Sequence, residues 1–445
     1  MIRLRKKIYF AVLGMALLSF ACAGDEKYRI KLLPTPEAYS RGLVNPFTDY
    51  NPAEKDLPYH GILYATDRLP ANEDDEERFY TSKPSGVIRL GLGHLEVNDK
   101  KISWKEALRI SLLKNRNQEY PLSIGSIEEF GLLSRTYSIF LDPDLAPKTF
   151  PSPGSKFADI INQKLAVSPQ KNIFLYVHGY NTNFDDPLLV ASELWHYLGY
   201  DGVFIAFAWP STPSGTAYLG DTEKAKLASR NLRLFLEYLS EETDAENIHL
   251  LGYSMGTRVT TWALEDITLI HYRQPREAIR KNVRIGNVIL CGSDLSLYSF
   301  GNFLQDGLLN VVDSFTIYSS DSDMALGASH WLFDRIRLGQ ITQKENLGPQ
   351  TINFLKNNKK LRVIDVTGAE DSAEGNGHHY LLNSPWVSSD ILMTFMYDRS
   401  PENRGLTQKE DVPIWYFSKD YIERMREALN KVNPGIQAGE NNPIQ

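Results

Sequence analysis

"NIHLLGYSMGTRV", residues 247–259, decides how this chain is read. Apolar residues climb to Gly252, a Gly-Tyr-Ser-Met-Gly turn follows, and a segment of helical character begins at Thr257. Ser254 is then either a nucleophile or a serine capping a helix behind a glycine-bounded turn. The pattern alone is short enough to arise by chance. The two readings part on whether a base and an acid follow in a usable order.

Outward from that stretch, the chain repeats the same kind of apolar run. "IFLYVH" (173–178), "VFIAFAW" (203–209), "VILCG" (288–292), "FTIY" (315–318) and "LRVIDV" (361–366) are apolar on both faces, as buried parallel strands are. Helical candidates lie between them: Asp185–Leu198, Thr222–Leu239 and Thr257–Ile270. Strands alternating with helices predict an α/β fold, a mostly parallel central sheet with helices on both faces. Ahead of it, "GILYAT", "VIRLGLGHLEV" and "YSIFLD" predict an N-terminal strand extension, broken by Pro, Gly and Ser clusters such as "PSPGS" at 151–155. The domain is drawn as 61–433. An extended Pro-, Asn- and Asp-rich arm occupies 24–60, and 434–445 is a flexible tail. The C-terminal stretch from Val387 to Asn430 reads as helical in parts.

Composition sets the class. The 445 residues are 42% hydrophobic and 11% aromatic, enough for a large core, and the net charge of −7 comes with no basic stripe to suit a nucleic acid. The acidic run "NEDDEER" (72–78) reads as a solvated loop. At the N-terminus, Arg3, Arg5, Lys6 and Lys7 precede an apolar stretch, Ile8–Ala21, that is short for a bilayer span and suits a signal segment, assigned to 1–23. Ala21-Cys22-Ala23 fits a cleavage site, while "LSFAC" resembles a lipobox in which Cys22 carries the lipid. The lipobox is preferred, because a cysteine ending such a stretch is otherwise hard to explain in a chain with two cysteines. Cys291 reads as a buried free thiol, and no disulfide is assigned. The expectation is an exported protein of the bacterial cell envelope, anchored to a membrane through the N-terminal lipid.

The setting of Ser254, strand then sharp turn then helix, is what a nucleophile elbow requires. Its neighbours must be small, and the helix N-terminus behind it offers free N–H groups to developing negative charge, the Met255 N–H foremost. A serine needs a base, and a histidine base needs an orienting carboxylate. On an α/β-hydrolase sheet the order is Ser, then Asp or Glu, then His, each at the carboxyl end of a strand. After "FTIY" come Asp321 and Asp323; after "VIDVTG" come His378 and His379. Asp323 is preferred as acid because an apolar helix start follows it, with Asp294 and Asp321 as alternatives. His378, directly behind Gly377, is preferred as base over His379. "IFLYVHGYN" supplies the other half of an oxyanion hole: Gly179 admits close approach, Tyr180 N–H is the second donor, and His178 supports the loop. "AWPSTPSG" (208–215) rims the site.

In this order, "LLPTPEAY", "LYATDR", "VHGYN", "WPS", "GYSMG", "YSSDSDMAL", "RLG" and "GHHY" resemble a bacterial α/β-hydrolase family of unknown function, esterase/lipase-like, from about Lys31 to Tyr421. The resemblance implies Ser254 as nucleophile, Asp323 as acid and His378 as base. It marks Arg68, Arg337 and Asp294 as family positions without an assigned role. The usual family form has His before the serine, where this chain has Tyr253.

The expected function is therefore a serine hydrolase, foremost a carboxylic ester hydrolase acting on a small-molecule or lipid acyl ester, with no cofactor and no metal. An amidase, peptidase or acyltransferase using the same three residues is an alternative, as is a non-catalytic envelope lipoprotein retaining the fold. Ala325–Ile341, with Trp331, Leu332 and Phe333, reads either as an acyl-pocket lining or lid, or as ordinary core packing.

Overall fold

The computed structural model describes residues 29–44, 61–97, 110, 120–139, 151–326, 336–342 and 347–432. Cys22 and the signal segment, Trp331, Leu332, Phe333 and the tail from 434 lie outside the described residues.

The apolar runs are strands, buried at every position except the half-buried Asn247 and Arg362: β5 (Asn172–Val177), β6 (Val203–Ala208), β7 (Asn247–Tyr253), β8 (Ile285–Cys291), β9 (Ser314–Ser319) and β10 (Leu361–Asp365). Four strands precede them: β1 (Arg29–Lys31), β2 (Ile62–Pro70), β3 (Tyr80–Val97) and β4 (Pro121–Leu132). Two short ones follow, β11 (Thr407–Gln408) and β12 (Ile414–Tyr416). They form one sheet in the order β1-β4-β3-β2-β6-β5-β7-β8-β9-β10-β12-β11. From β2 to β12 neighbouring strands are parallel; β3, β4, β1 and β11 add antiparallel edges.

Helices sit on both faces. They include α1 (Pro153–Val167), α2 (Asp185–Tyr197), α3 (Tyr218–Glu242), α4 (Gly256–Ile270), α5 (Pro385–Tyr397) and α6 (Tyr421–Val432). Among the described residues no helix is long and apolar enough to cross a membrane.

Three features depart from the reading of the sequence. "YSIFLD" gives no strand over Tyr137–Ile139; the third N-terminal strand is β4, upstream of it. There the chain tightens into a 3-10 turn at Ser134–Thr136, and Thr136 Oγ1 accepts the Ile88 N–H of β3 at 2.9 Å. The cluster "PSPGS" does more than break the chain: Ser152 caps α1 by accepting the Ser155 N–H, and Pro153 occupies the first turn, where a missing N–H costs nothing. Within the expected arm, Arg29–Val44 is packed on the domain. β1 extends the sheet, and Leu33, Ala38, Tyr39, Leu43 and Val44 are buried. The Leu33 N–H donates to Glu193 on α2 (2.7 Å), and the Ala38 N–H to Ser389 on α5 (3.1 Å).

Candidate active site

The strand order creates the site. From β5 the chain crosses to β6 on one side and returns to β7 on the other, so the loops after β5 and β7 diverge and leave a crevice between them. The parallel register sets Val177 beside Gly252, which places both loops at one level. Ser254 stands at the crevice with φ +51°, a left-handed conformation unfavourable for a side chain and characteristic of a nucleophile elbow. Neighbours hold it there: its N–H donates to Cys291 O (2.9 Å), and its carbonyl accepts the Thr257 N–H (3.0 Å) and hydroxyl (2.6 Å). Buried Met255 follows, and α4 begins at Gly256, its positive end behind the serine.

The loops after β9 and β10 converge on this point. His378 Nε2 lies 2.9 Å from Ser254 Oγ, and His378 Nδ1 lies 2.7 Å from Asp323 Oδ2. Asp323 is 2% exposed, and its other oxygen accepts the Leu326 N–H at 2.9 Å, so the carboxylate is fixed from both ends. Burial presses the His378 pKa down, but the charge and hydrogen bond of Asp323, with Asp294 behind them, outweigh it and leave the group above its ordinary 6.5. Gly292 makes room for the ring. Its φ is +57°, and a Cβ there would lie 2.8 Å from His378 Cε1. His379 is exposed, and its Nδ1 meets Tyr253 Oη at 2.8 Å. Tyr253 thus ties the strand of the serine to the loop of the histidines, its Oη also reaching His378 O at 3.4 Å.

The structure brings Asp323, and neither alternative, to the imidazole. Asp294 is held by Tyr218 Oη (2.5 Å), Arg258 (2.9 Å) and Arg337 (3.5 Å), a buried network beside the site. That gives Arg337 a partner in the same network, its Nη1 also donating to Asp294 O at 3.0 Å. Asp321 points away, accepting from the Thr342 hydroxyl.

The loop after β5 packs directly on the serine: a Cβ on Gly179 would lie 2.9 Å from Ser254 Cβ. His178 is 1% exposed and stacks on Trp209 at 5.2 Å. Its Nδ1 faces Gly179 O (2.7 Å) and its Nε2 faces Trp209 O (3.1 Å). Burial and then Arg68 push its pKa down to about 3, so the ring is neutral and supports the loop. A proton on Nδ1 would fix the Gly179 carbonyl and, because the peptide is planar, the direction of the Tyr180 N–H. The Tyr180 ring meets Tyr218 edge-on at 5.3 Å. Tyr218, Arg258, Trp209 and Gly292 escaped the sequence reading as individual residues. Trp209, directly behind a strand in "WPS", was the one with a visible signal.

No group of three or more His, Cys, Asp or Glu side chains that could hold a metal occurs among the described residues. The fold and the serine elbow define an α/β hydrolase. The chain belongs to the family described as alpha/beta hydrolase of unknown function (DUF900), which matches residues 155–395, over half of it. No curated protein matches. Among solved structures, the chain is similar to a lipase-esterase related protein from Clostridium acetobutylicum, at 12% identity and TM-score 0.25, over 51% of this chain and 94% of that one. It is also similar to an acylaminoacyl peptidase from Pyrococcus horikoshii, at 15% identity and TM-score 0.27, over 57% of this chain and 40% of that one.

Proposed function

We propose that this hydrolase cleaves carboxylic esters through an acyl-enzyme on Ser254. The observation that carries the reading is the unbroken chain Ser254 Oγ–His378–Asp323, at 2.9 and 2.7 Å, built on a left-handed serine at a helix N-terminus. His378 takes the serine proton as Oγ bonds to the acyl carbon, and the carbonyl pair moves to oxygen. The Tyr180 and Met255 N–H groups receive that oxyanion. His378 then gives the proton to the departing alkoxide. Water, deprotonated by the same imidazole, releases the acid and restores Ser254. Asp323 orients the ring and stabilises its charged form. Export and lipidation at Cys22 remain part of the proposal, supported by the N-terminal sequence.

The test is labelling with a fluorophosphonate probe, mapped by mass spectrometry, alongside p-nitrophenyl esters of rising chain length and matched peptide substrates. The expected result is phosphonylation of Ser254 and ester turnover, both lost in Ser254→Ala. Labelling that persists in Ser254→Ala, or a wild-type protein that neither labels nor turns over, overturns the reading. Faster cleavage of the peptides than of the esters overturns the ester assignment alone.

A further inference from the structure

The other family position without a role, Arg68, is buried completely (0% exposed), which for a guanidinium is costly unless its donors and charge are compensated. A residue kept for stability would be expected to pair with a carboxylate. Arg68 instead directs its fork at main-chain oxygens. Nη1 donates to Thr81 O on β3 (3.3 Å), and Nη2 to Thr182 O (2.9 Å) and Asn183 O (3.4 Å) in the loop after β5. Carboxylates of Glu77, Asp67, Asp221 and Asp186 balance the charge from a distance. The backbone is shaped for this: the β2–β3 register shifts on both sides of Arg68, between Thr66 and Arg68 and again between Arg68 and Pro70. Such irregularities re-aim a side chain.

The loop so gripped runs from Gly179, which touches Ser254, to Phe184 before α2. Other contacts add to this grip at its far end, where the buried Phe184 ring packs on Tyr64 and Tyr80, and within it, where the Thr182 hydroxyl donates to Tyr180 O (3.1 Å). Ser211 Oγ donates to Thr182 O (2.9 Å) and accepts the Thr182 N–H (3.1 Å), while Asn183 Oδ1 caps α2. Asn181 in its middle is left-handed, φ +57°. Asn tolerates that conformation, and the shape of a turn two residues from the nucleophile contact depends on how its ends are held. His178 holds one end, and at the other Arg68 joins Ser211 and Phe184 and is the group that grips the Thr182 and Asn183 carbonyls together.

We propose that Arg68 is a positioning residue for the oxyanion hole, clamping the Thr182 and Asn183 carbonyls so that the Tyr180 N–H is fixed against Ser254. This rests on the hydrolase reading above. Lysine cannot replace it, because one ammonium on a flexible stem does not span three carbonyls as a planar fork does.

The experiment compares wild type with Arg68→Met and Arg68→Lys in the full chain. It measures kcat and KM on p-nitrophenyl butyrate, inhibition by an alkyl trifluoromethyl ketone, and amide hydrogen exchange. The ketone forms a tetrahedral oxyanion on serine and so samples the hole directly. A displaced donor costs kcat about ten- to a hundredfold. The same factor is expected in ketone affinity, with KM within about threefold, since only the transition state uses the donor. Amides from Tyr180 to Phe184 exchange faster while β5 and β7 keep their protection, and Arg68→Lys recovers only part of the loss. If Arg68→Met does not fold, Arg68→Lys carries the same measurements, and Ser211→Ala loosens the same amides. Unchanged loop protection overturns the proposal, as does a rise in KM with kcat intact. A wild type that neither labels nor turns over would sink the hydrolase reading alone, since exchange still decides whether Arg68 holds the loop.

Discussion

At the scale of single residues, His378 carries the sharpest consequences. It must be neutral to accept the serine proton, and its neighbours favour the charged form, holding its pKa above 6.5. The sign follows: kcat/KM is low below the folded pKa and rises as pH passes it, so the acid limb lies above pH 6.5. Asp323→Asn removes the largest contributions that raise it. The limb should move to lower pH while kcat falls by about 10⁴-fold, since the imidazole also loses its orienting acceptor. A pH–rate profile of both proteins checks this, and a limb that does not move contradicts the role of Asp323. The adjacent histidines make a second test. His378→Ala should abolish turnover, whereas His379→Ala should be mild, because exposed His379 flanks the site, meeting the Tyr253 hydroxyl and the edge of the His378 ring, while it is His378 that bridges Ser254 and Asp323. A severe His379→Ala would mean the base had been misassigned.

At the scale of elements, the end of β8 shows how close the packing is. Gly292 donates its N–H to Tyr380 Oη, adopts φ +57°, and leaves no room between its Cα and the imidazole. Gly292→Ala should therefore displace His378 and strain the turn together, cutting kcat by about a hundredfold as near-attack geometry is lost. Thermal melts and ester kinetics of the variant decide it: full activity would show that the ring has slack. Such a residue could not be read from sequence, where Gly292 is only the end of "VILCG". The strands themselves were legible, since a strand buried on both faces is apolar throughout. "FTIY" and "VFIAFAW" fall within a residue of β9 and β6. β4 was not legible, because Gly125, Glu128, Glu129 and Gly131 interrupt its apolar alternation, and half-exposed strands carry that weaker signal. The Ser-Asp-His order was legible because chain order is fixed by the fold. The network of Tyr218, Arg258 and Arg337 around Asp294 was not, because its members come together only when α3, α4 and the loops after β8 and β9 pack.

At the scale of the whole molecule, the N-terminal segment joins parts far apart in the chain. β1 lies on β4 at one edge of the sheet, and the residues after it reach α2 and α5 through Glu193 and Ser389. The Tyr39 ring stacks on Tyr197 at 5.8 Å, and its hydroxyl donates to Tyr197 O. Leu33, Ala38, Leu43 and Val44 add apolar burial along the way. The segment's contribution to stability is concentrated where it bridges α2 and α5, through this apolar burial and the hydrogen bonds to Glu193 and Ser389. Removing residues 1–28 should leave the melting temperature unchanged within about 2 °C, whereas removing 1–60 should lower it by about 5 °C or more. The second truncation also exposes the outer edge of β4 and so favours self-association. The serine, Asp323 and His378 lie just after β7, β9 and β10, strands distant from β1 in the sheet order, so surviving folded protein should keep its kcat. Melting curves with light scattering and ester kinetics on both truncations separate the outcomes. Equal melting temperatures would show that the strap packs on the domain without stabilising it, and lost kcat in soluble 61–445 would show that the strap reaches the site.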